Sequence, residues 1–81
     1  MIKKGEKMSD YKIFSKRLKE LLAEKGMTQR ALAEKAGLTE VAVSRYISAQ
    51  RLPGAFAIVK IAAALDCSID YLLGVERGND D

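Results

Sequence analysis

The stretch MTQRALAEKAGLTEVAVSRYI, residues 27–47, limits the fold of this chain more than any other. Apolar residues recur at helical spacing on both sides of Gly37, and Thr28 and Thr39 stand where helix N-caps are expected. Two helices joined by about three residues, one of them glycine, must cross steeply. Small side chains such as that of Ala33 are needed where the two backbones approach. The stretch therefore predicts two short helices that meet at a sharp turn.

The same spacing of apolar residues predicts one helix before this pair and two after it. The first covers residues 10–26 and ends at a glycine, the next covers residues 55–65, and the last lies between a serine cap and a glycine in residues 68–74. No segment alternates as a strand does, so we expect an all-α fold, a compact five-helix bundle. The expected organisation is a flexible basic arm (1–9), a folded domain (10–75) and an acidic disordered tail (76–81).

The predicted core is aliphatic, since the 81-residue chain has no Trp and few aromatic residues. A chain of this length forms one small domain with a modest core. The single cysteine, Cys67, excludes an internal disulfide and is expected to pack in this core. The other side chains expected to face inward are Phe14, Leu18, Leu21, Leu22, Leu32, Ala33, Ala36, Val43, Tyr46 and Ile47, with Ala55, Ile58, Ile61, Ala62 and Leu65 on the fourth helix.

Composition excludes several classes of protein. The chain has no histidine, so it has no imidazole base or ligand. It also lacks a glycine-rich phosphate loop, a metal-ligand cluster and a nucleophile paired with a base, so we expect no enzyme, no cofactor and no metal site. No apolar run approaches the roughly 20 residues that span a bilayer, and the start lacks the apolar segment of a secretory signal. We therefore expect a cytoplasmic protein with no membrane partner.

Positive charge is concentrated towards the N-terminus. The formal net charge is +3, and residues 1–30 hold nine Lys or Arg against four Asp or Glu. Residues 31–81 hold five against seven. This distribution fits a polyanionic partner, although a solvated basic helix face would give the same pattern.

The ordered motifs of the chain resemble those of the Cro/C1-type (XRE) helix-turn-helix domain, the family of the phage lambda repressor and Cro. They are TQ-x-x-LA-x-x-AG-L-T, then V-S-R-Y, LP and S-I-D-Y-LLG, and together they fall within residues 13–74. The resemblance implies a lambda-repressor-like DNA-binding fold, in which the second helix of the pair lies in the major groove of DNA. The chain departs from the family in two places: Ile47-Ser48-Ala49 replaces the usual E-N-G, and Gly54 replaces a polar cap.

The resemblance assigns base contacts to the outer face of the third helix. Arg45 can form a bidentate contact with guanine, and Val41 can meet a thymine methyl group. Glu40 can accept from a cytosine amino group or repel wrong sequences, or it can simply favour the positive helix N-terminus. Thr39 can serve as an N-cap alone. The residues expected to contact bases are Thr39, Glu40, Val41, Ser44 and Arg45.

Phosphate contacts are expected around this helix. The resemblance gives Gln29 the role of binding a phosphate and bracing the recognition helix. Lys3, Lys4 and Lys7 of the arm either add salt-sensitive affinity or only solubilise the chain. The full set of expected phosphate contacts is Thr28, Gln29, Arg30, Ser48, Gln50, Arg51 and Arg17.

The fourth predicted helix, AFAIVKIAAALD, carries a second apolar stripe that a small domain has little to cover. We hypothesise that a homodimer contact forms there, unless the arm or the tail folds over the stripe. The residues of this hypothesis are Phe56, Val59, Ala63, Tyr71 and Val75.

The expected function is sequence-specific binding of a double-stranded DNA operator by a transcriptional regulator, most simply a repressor. The alternative is an antitoxin or protein-interaction module, whose fourth helix binds a partner protein while its third helix autoregulates the operon.

Overall fold

The computed structural model describes residues 10–75, and the predicted arm (1–9) and tail (76–81) lie outside them. These residues form five helices and no strand, which confirms the predicted all-α, five-helix fold. None of the helices in this part of the chain is long and apolar enough to cross a membrane. The helices are α1 (Asp10–Lys25), α2 (Gln29–Ala36), α3 (Glu40–Ile47), α4 (Ala55–Leu65) and α5 (Ile69–Leu73).

Side-chain caps set the starts of three helices. The hydroxyl oxygens of Thr28, Thr39 and Ser68 each accept a hydrogen bond from the backbone N–H three residues later, at 3.0 Å. These bonds satisfy amide groups that the first turn of a helix leaves unpaired. The predicted caps are confirmed. Gly54 precedes α4 and supplies no such bond.

The turn between α2 and α3 depends on Gly37, whose φ of 72° lies in the left-handed region. Leu38 N–H then donates to Ala33 O at 2.8 Å, which closes the end of α2. Ala33 is buried, as the predicted close approach of the two backbones requires. The chain can therefore leave α2 and enter α3 within three residues.

The five helices pack around one core. Helix α1 packs against α3 and α5, while α2 packs against α3 and α4. Phe14 meets Tyr46 edge to face, with ring centroids 6.2 Å apart, and this contact holds α3 on α1. The side chains with essentially no exposed surface are Phe14, Leu18, Leu32, Val43, Ile61, Leu65 and Leu72.

The predicted inward face of α4 was wrong at one position. Ala55 is exposed, because it is the first residue of α4 and its Cβ points back past the end of the helix. Ala64, which was not predicted, is buried. Helix α4 packs against both α2 and α5, so its buried arc is wider than one stripe. Ile58, Ile61, Ala62 and Leu65 are buried as predicted.

Candidate nucleic-acid interface

Helix α3 is anchored on one side and open on the other. Its inner side chains, Val43 and Tyr46, are buried, and Ile47 packs partly against the core. The side chains of Glu40, Val41, Ser44 and Arg45, on the opposite side, are exposed. Thr39 is exposed too, and its hydroxyl caps the helix by accepting from Ala42 N–H. The five residues expected to contact bases therefore lie at the surface, with Thr39 also serving as the cap.

A shallow depression of about 410 Å³ gathers most of these side chains with residues of other elements. Gln29 reaches it from the first turn of α2, and two residues reach it from the loop after α3. Its charged members are one guanidinium and one carboxylate. The residues that line it, called the α3 depression below, are Gln29, Glu40, Val41, Ser44, Arg45, Ser48 and Gln50.

The loop after α3 is held by its own backbone. Ser48 Oγ donates to Ser44 O at 3.0 Å, and Gln50 N–H donates to Arg45 O at 2.9 Å. Ala49 adopts a φ of 63°, which lies in the left-handed region. An alanine there is strained because its Cβ crowds the backbone. This local closure directs Ser48 and Gln50 to the α3 depression.

Ser15 is a site residue that our sequence reasoning missed. It is the one buried polar residue among those described, and its hydroxyl donates to the carbonyl oxygen of Ile47, the last residue of α3. A buried hydroxyl without a partner would be costly, so this bond fixes the end of α3 to α1. The signal was in the sequence: Ser15 stands three residues before Leu18 and seven before Leu22, on the apolar face of α1.

Two of the predicted phosphate ligands, Arg17 and Arg30, interact with other residues of the chain. Arg17 Nη1 donates to the backbone carbonyl oxygen of Tyr71 at 2.8 Å, and its guanidinium lies 4.4 Å from the centre of the Tyr71 ring. Residues two apart on a helix point about 200° apart, so Arg17 points away from the side on which Ser15 meets α3. Arg30 forms ion pairs with Glu34 and Glu40.

The remaining predicted phosphate ligands divide into three groups. Gln29, Ser48 and Gln50 line the α3 depression, as described. Thr28 caps α2, and Arg51 is exposed but does not line the depression. The lysines at positions 3, 4 and 7 lie outside the described residues. The structure thus brings together Gln29 and the loop residues and leaves Arg17 apart.

The second stripe of α4 lies at the surface. Phe56 is 84% exposed and Val59 is 52% exposed, and Ala63 completes their face of the helix. Val75 is exposed as well, while the Tyr71 ring lies against Arg17. Such exposure is unusual for a phenylalanine, because burial of its side chain would stabilise the protein by about 1.5–3 kcal/mol.

Two further features concern the possible metal ligands and the single cysteine. Within residues 10–75 no group of three acidic or cysteine side chains could hold a metal ion. Cys67 is half-buried against the core. Burial raises the pKa of its thiol, Lys25 opposes that change and Asp66 adds to it. The thiol therefore stays protonated at neutral pH, which suits packing more than reactivity.

Comparison with known proteins assigns the family. The model of the family described as helix-turn-helix matches residues 18–72, which include all of α2, α3 and α4. The chain belongs to the helix-turn-helix family. It is of the Cro/C1 type, so the resemblance carried by its motifs is confirmed.

Several proteins resemble this helix-turn-helix chain. An HTH-type transcriptional regulator of Bacillus subtilis (strain 168), YqaE, is 38% identical over 61 residues, which are 75% of this chain and 53% of the regulator. The chain thus spans about half the length of that relative. The crystal structure of the restriction-modification controller protein C.AhdI from Aeromonas hydrophila matches with a TM-score of 0.75 and 35% identity, over 80% of this chain and 98% of that one.

The solution structure of the DNA-binding domain of the P22 C2 repressor matches with a TM-score of 0.74 and 26% identity. This match covers 89% of the helix-turn-helix chain and 96% of the repressor domain. The architecture of α1–α5 is therefore that of a repressor-like DNA-binding domain.

Proposed function

We propose that this helix-turn-helix protein binds a specific double-stranded DNA operator and acts as a repressor. The observation that supports the proposal is the exposed outer face of α3, gathered with Gln29, Ser48 and Gln50 in one depression. A helix held at its inner side and open at its outer side can enter the major groove. The flanking polar residues of α2 and of the loop then meet the phosphates on either side.

Each side chain of the α3 depression has a role that its chemistry suits. The Arg45 guanidinium forks to guanine O6 and N7, and Val41 packs against a thymine methyl group. Glu40 accepts from a base amino group, and Ser44 contacts a base or a phosphate. The phosphate contacts come from Thr28, Gln29, Arg30, Ser48, Gln50 and Arg51, and Thr39 contacts a base from the start of α3.

Repression is the simplest regulatory outcome of such binding. Occupying an operator that overlaps a promoter requires no catalysis and no cofactor. Two similar proteins are named as a repressor and as a controller protein, which supports a regulatory role without naming its targets. A regulator of this kind acts on DNA in the cytoplasm rather than as an enzyme.

The stripe of α4 supports a homodimer. Phe56, Val59 and Ala63 form one exposed apolar face, and Val75 offers further apolar surface. A twofold dimer would place two α3 helices about 34 Å apart, one turn of DNA, and the operator would be palindromic. The apolar face of α4 equally suits a partner protein, as in an antitoxin, and the dimer test below separates the two.

The DNA-binding proposal is tested by selecting bound duplexes from a random library at near-physiological salt. Wild type is expected to enrich a palindromic motif. Arg45→Ala is expected to lose one guanine preference, at a cost of about 10- to 100-fold in affinity for the selected site. Arg45→Lys keeps the charge but not the fork, so it should lose the same preference. No enrichment by wild type would refute the proposal.

A charge control separates base reading from general attraction. Lys25→Ala removes one positive charge at the end of α1, beside Cys67 and outside the α3 depression. It is expected to weaken all DNA binding slightly and leave base preferences unchanged. Arg51→Ala should make the salt dependence of DNA affinity shallower by the amount expected for about one lost phosphate contact. It should leave the base preferences unchanged.

The dimer is tested by sedimentation of the full chain with and without DNA. Phe56→Glu is expected to give a monomer and weaken operator binding, while Ala23→Glu, an exposed position on α1, adds the same charge without effect. If wild type is a monomer both free and on its operator, the homodimer is excluded. A second, unrelated chain that binds wild type but not Phe56→Glu would then favour the partner-protein alternative.

A further inference from the structure

The Arg30 guanidinium lies between two carboxylates of different helices. Its Nε is 3.7 Å from Glu34 Oε2, one turn further along α2, and 3.7 Å from Glu40 Oε2 at the start of α3. All three side chains are largely exposed, at 75%, 73% and 59%. Exposed ion pairs contribute little to stability because water screens them. The arrangement therefore has little value as a link between the two helices.

The group has one positive and two negative charges, which leaves an excess carboxylate. Glu40 lines the α3 depression together with Ser44 and Arg45. A carboxylate on a surface that faces DNA repels phosphates, and its desolvation is offset only where it accepts a hydrogen bond. In the major groove cytosine N4 and adenine N6 can donate such a bond, whereas guanine O6 and N7 and thymine O4 only accept.

We infer that the Arg30–Glu40 pair couples phosphate binding to base reading, an inference that rests on the proposed entry of α3 into the major groove. In the free protein Arg30 neutralises Glu40. Where Glu40 accepts a hydrogen bond from a cytosine or adenine amino group, Arg30 moves away from Glu40 and binds a backbone phosphate. On other sequences Arg30 stays with Glu40, and that phosphate contact is not made. Glu40 is thus a specificity-determining residue that weakens binding to nonspecific DNA.

The test compares binding of the full chain to its selected operator and to a nonspecific duplex at several salt concentrations. Glu40→Ala leaves Arg30 with Glu34 alone, a carboxylate outside the α3 depression, so Arg30 can turn to a phosphate on every sequence. We expect it to tighten nonspecific binding about threefold and to lower the operator-to-nonspecific ratio about tenfold or more, because the base contact of Glu40 is lost as well. For nonspecific DNA, the slope of log affinity against log salt concentration should become steeper by the amount expected for about one additional phosphate contact.

Glu34→Ala is the matched control. It removes a carboxylate at the same distance from Arg30, but Glu34 does not line the α3 depression. We expect it to tighten binding to both duplexes equally and to leave their ratio unchanged. A ratio that falls as far in Glu34→Ala as in Glu40→Ala would overturn the inference, because the effect would then be one of net charge.

A second background tests the role of Arg30. In the Arg30→Ala background, the further change Glu40→Ala should not steepen the salt dependence of nonspecific binding, because no guanidinium at position 30 remains to bind a phosphate. A steeper salt dependence in that background overturns the inference. The inference is also overturned if Glu40→Ala leaves the operator-to-nonspecific ratio unchanged. The proposed function still stands in that case, provided that wild type selects an operator and Arg45→Ala loses a guanine preference. If wild type selects no site, both fail.

Discussion

Gly74, which ends α5, gives a prediction whose size follows from the structure. Its φ is 76°, and a Cβ built on it would lie 2.6 Å from Ile13 Cγ2 of α1. The left-handed region costs a non-glycine residue about 1–2 kcal/mol. Overpacking costs about 1–3 kcal/mol more, because the Cγ2 of a stiff β-branched residue cannot swing away by itself. We therefore expect Gly74→Ala to lower the free energy of unfolding by about 2–5 kcal/mol.

Gly26→Ala is the matched control for the steric part. Gly26 has a φ of 62°, yet no atom lies within 4 Å of the Cβ it would gain. Gly26→Ala should therefore lower the free energy of unfolding only by the backbone contribution, about 1–2 kcal/mol. The assay is urea unfolding of the full chain followed by circular dichroism, with unchanged m-values as the check that each variant unfolds as wild type does. Equal destabilisation by the two substitutions would refute the reasoning.

A double variant tests the same contact from the other side. Ile13→Ala removes the Cγ2 atom, so Gly74→Ala should cost about 1 kcal/mol less in that background than in wild type. Strict additivity of the two substitutions would contradict a clash between Ile13 and Gly74.

Three further substitutions test the loops and the link between α1 and α3. Ala49→Gly should raise the free energy of unfolding by about 0.5–1 kcal/mol, because the removal of backbone strain at a φ of 63° outweighs the greater conformational entropy of glycine in the unfolded chain. A lower urea midpoint would contradict this. Gly54→Ser should add a few tenths of a kcal/mol by capping α4, seen as a higher thermal midpoint, and a fall would count against it. Ser15→Ala should cost about 1–3 kcal/mol, since the buried Ile47 contact loses its donor; a change below about 0.5 kcal/mol in urea unfolding would show that the bond is unimportant.

Helix boundaries and the core of the central helices could be predicted because their signals are local. The caps at Thr28 and Thr39 and the turn at Gly37 depend on residues within one helical turn. The outer face of α3 followed from the spacing of Val43 and Tyr46, since residues that are apolar at that spacing face the core. The exposed stripe of α4 followed in the same way from Phe56 and its neighbours.

The error on α4 has a different origin. Periodicity predicts which residues share a face, but it does not predict how many neighbours that face meets. Ala55 begins the helix and points past its end, while Ala64 is covered because α4 packs against two helices. Burial at the edges of a stripe therefore depends on packing partners that lie far away in the sequence.

The sequence by itself determined the five helices, their caps and the side of α3 that faces out, because these features arise within a few consecutive residues. Only the tertiary structure decided which distant groups meet. It placed Ser15 on the end of α3, Arg17 on Tyr71 rather than near α3, and Arg30 against Glu40. Such pairs depend on the crossing angles of packed helices and on the reach of long side chains, which no local pattern specifies.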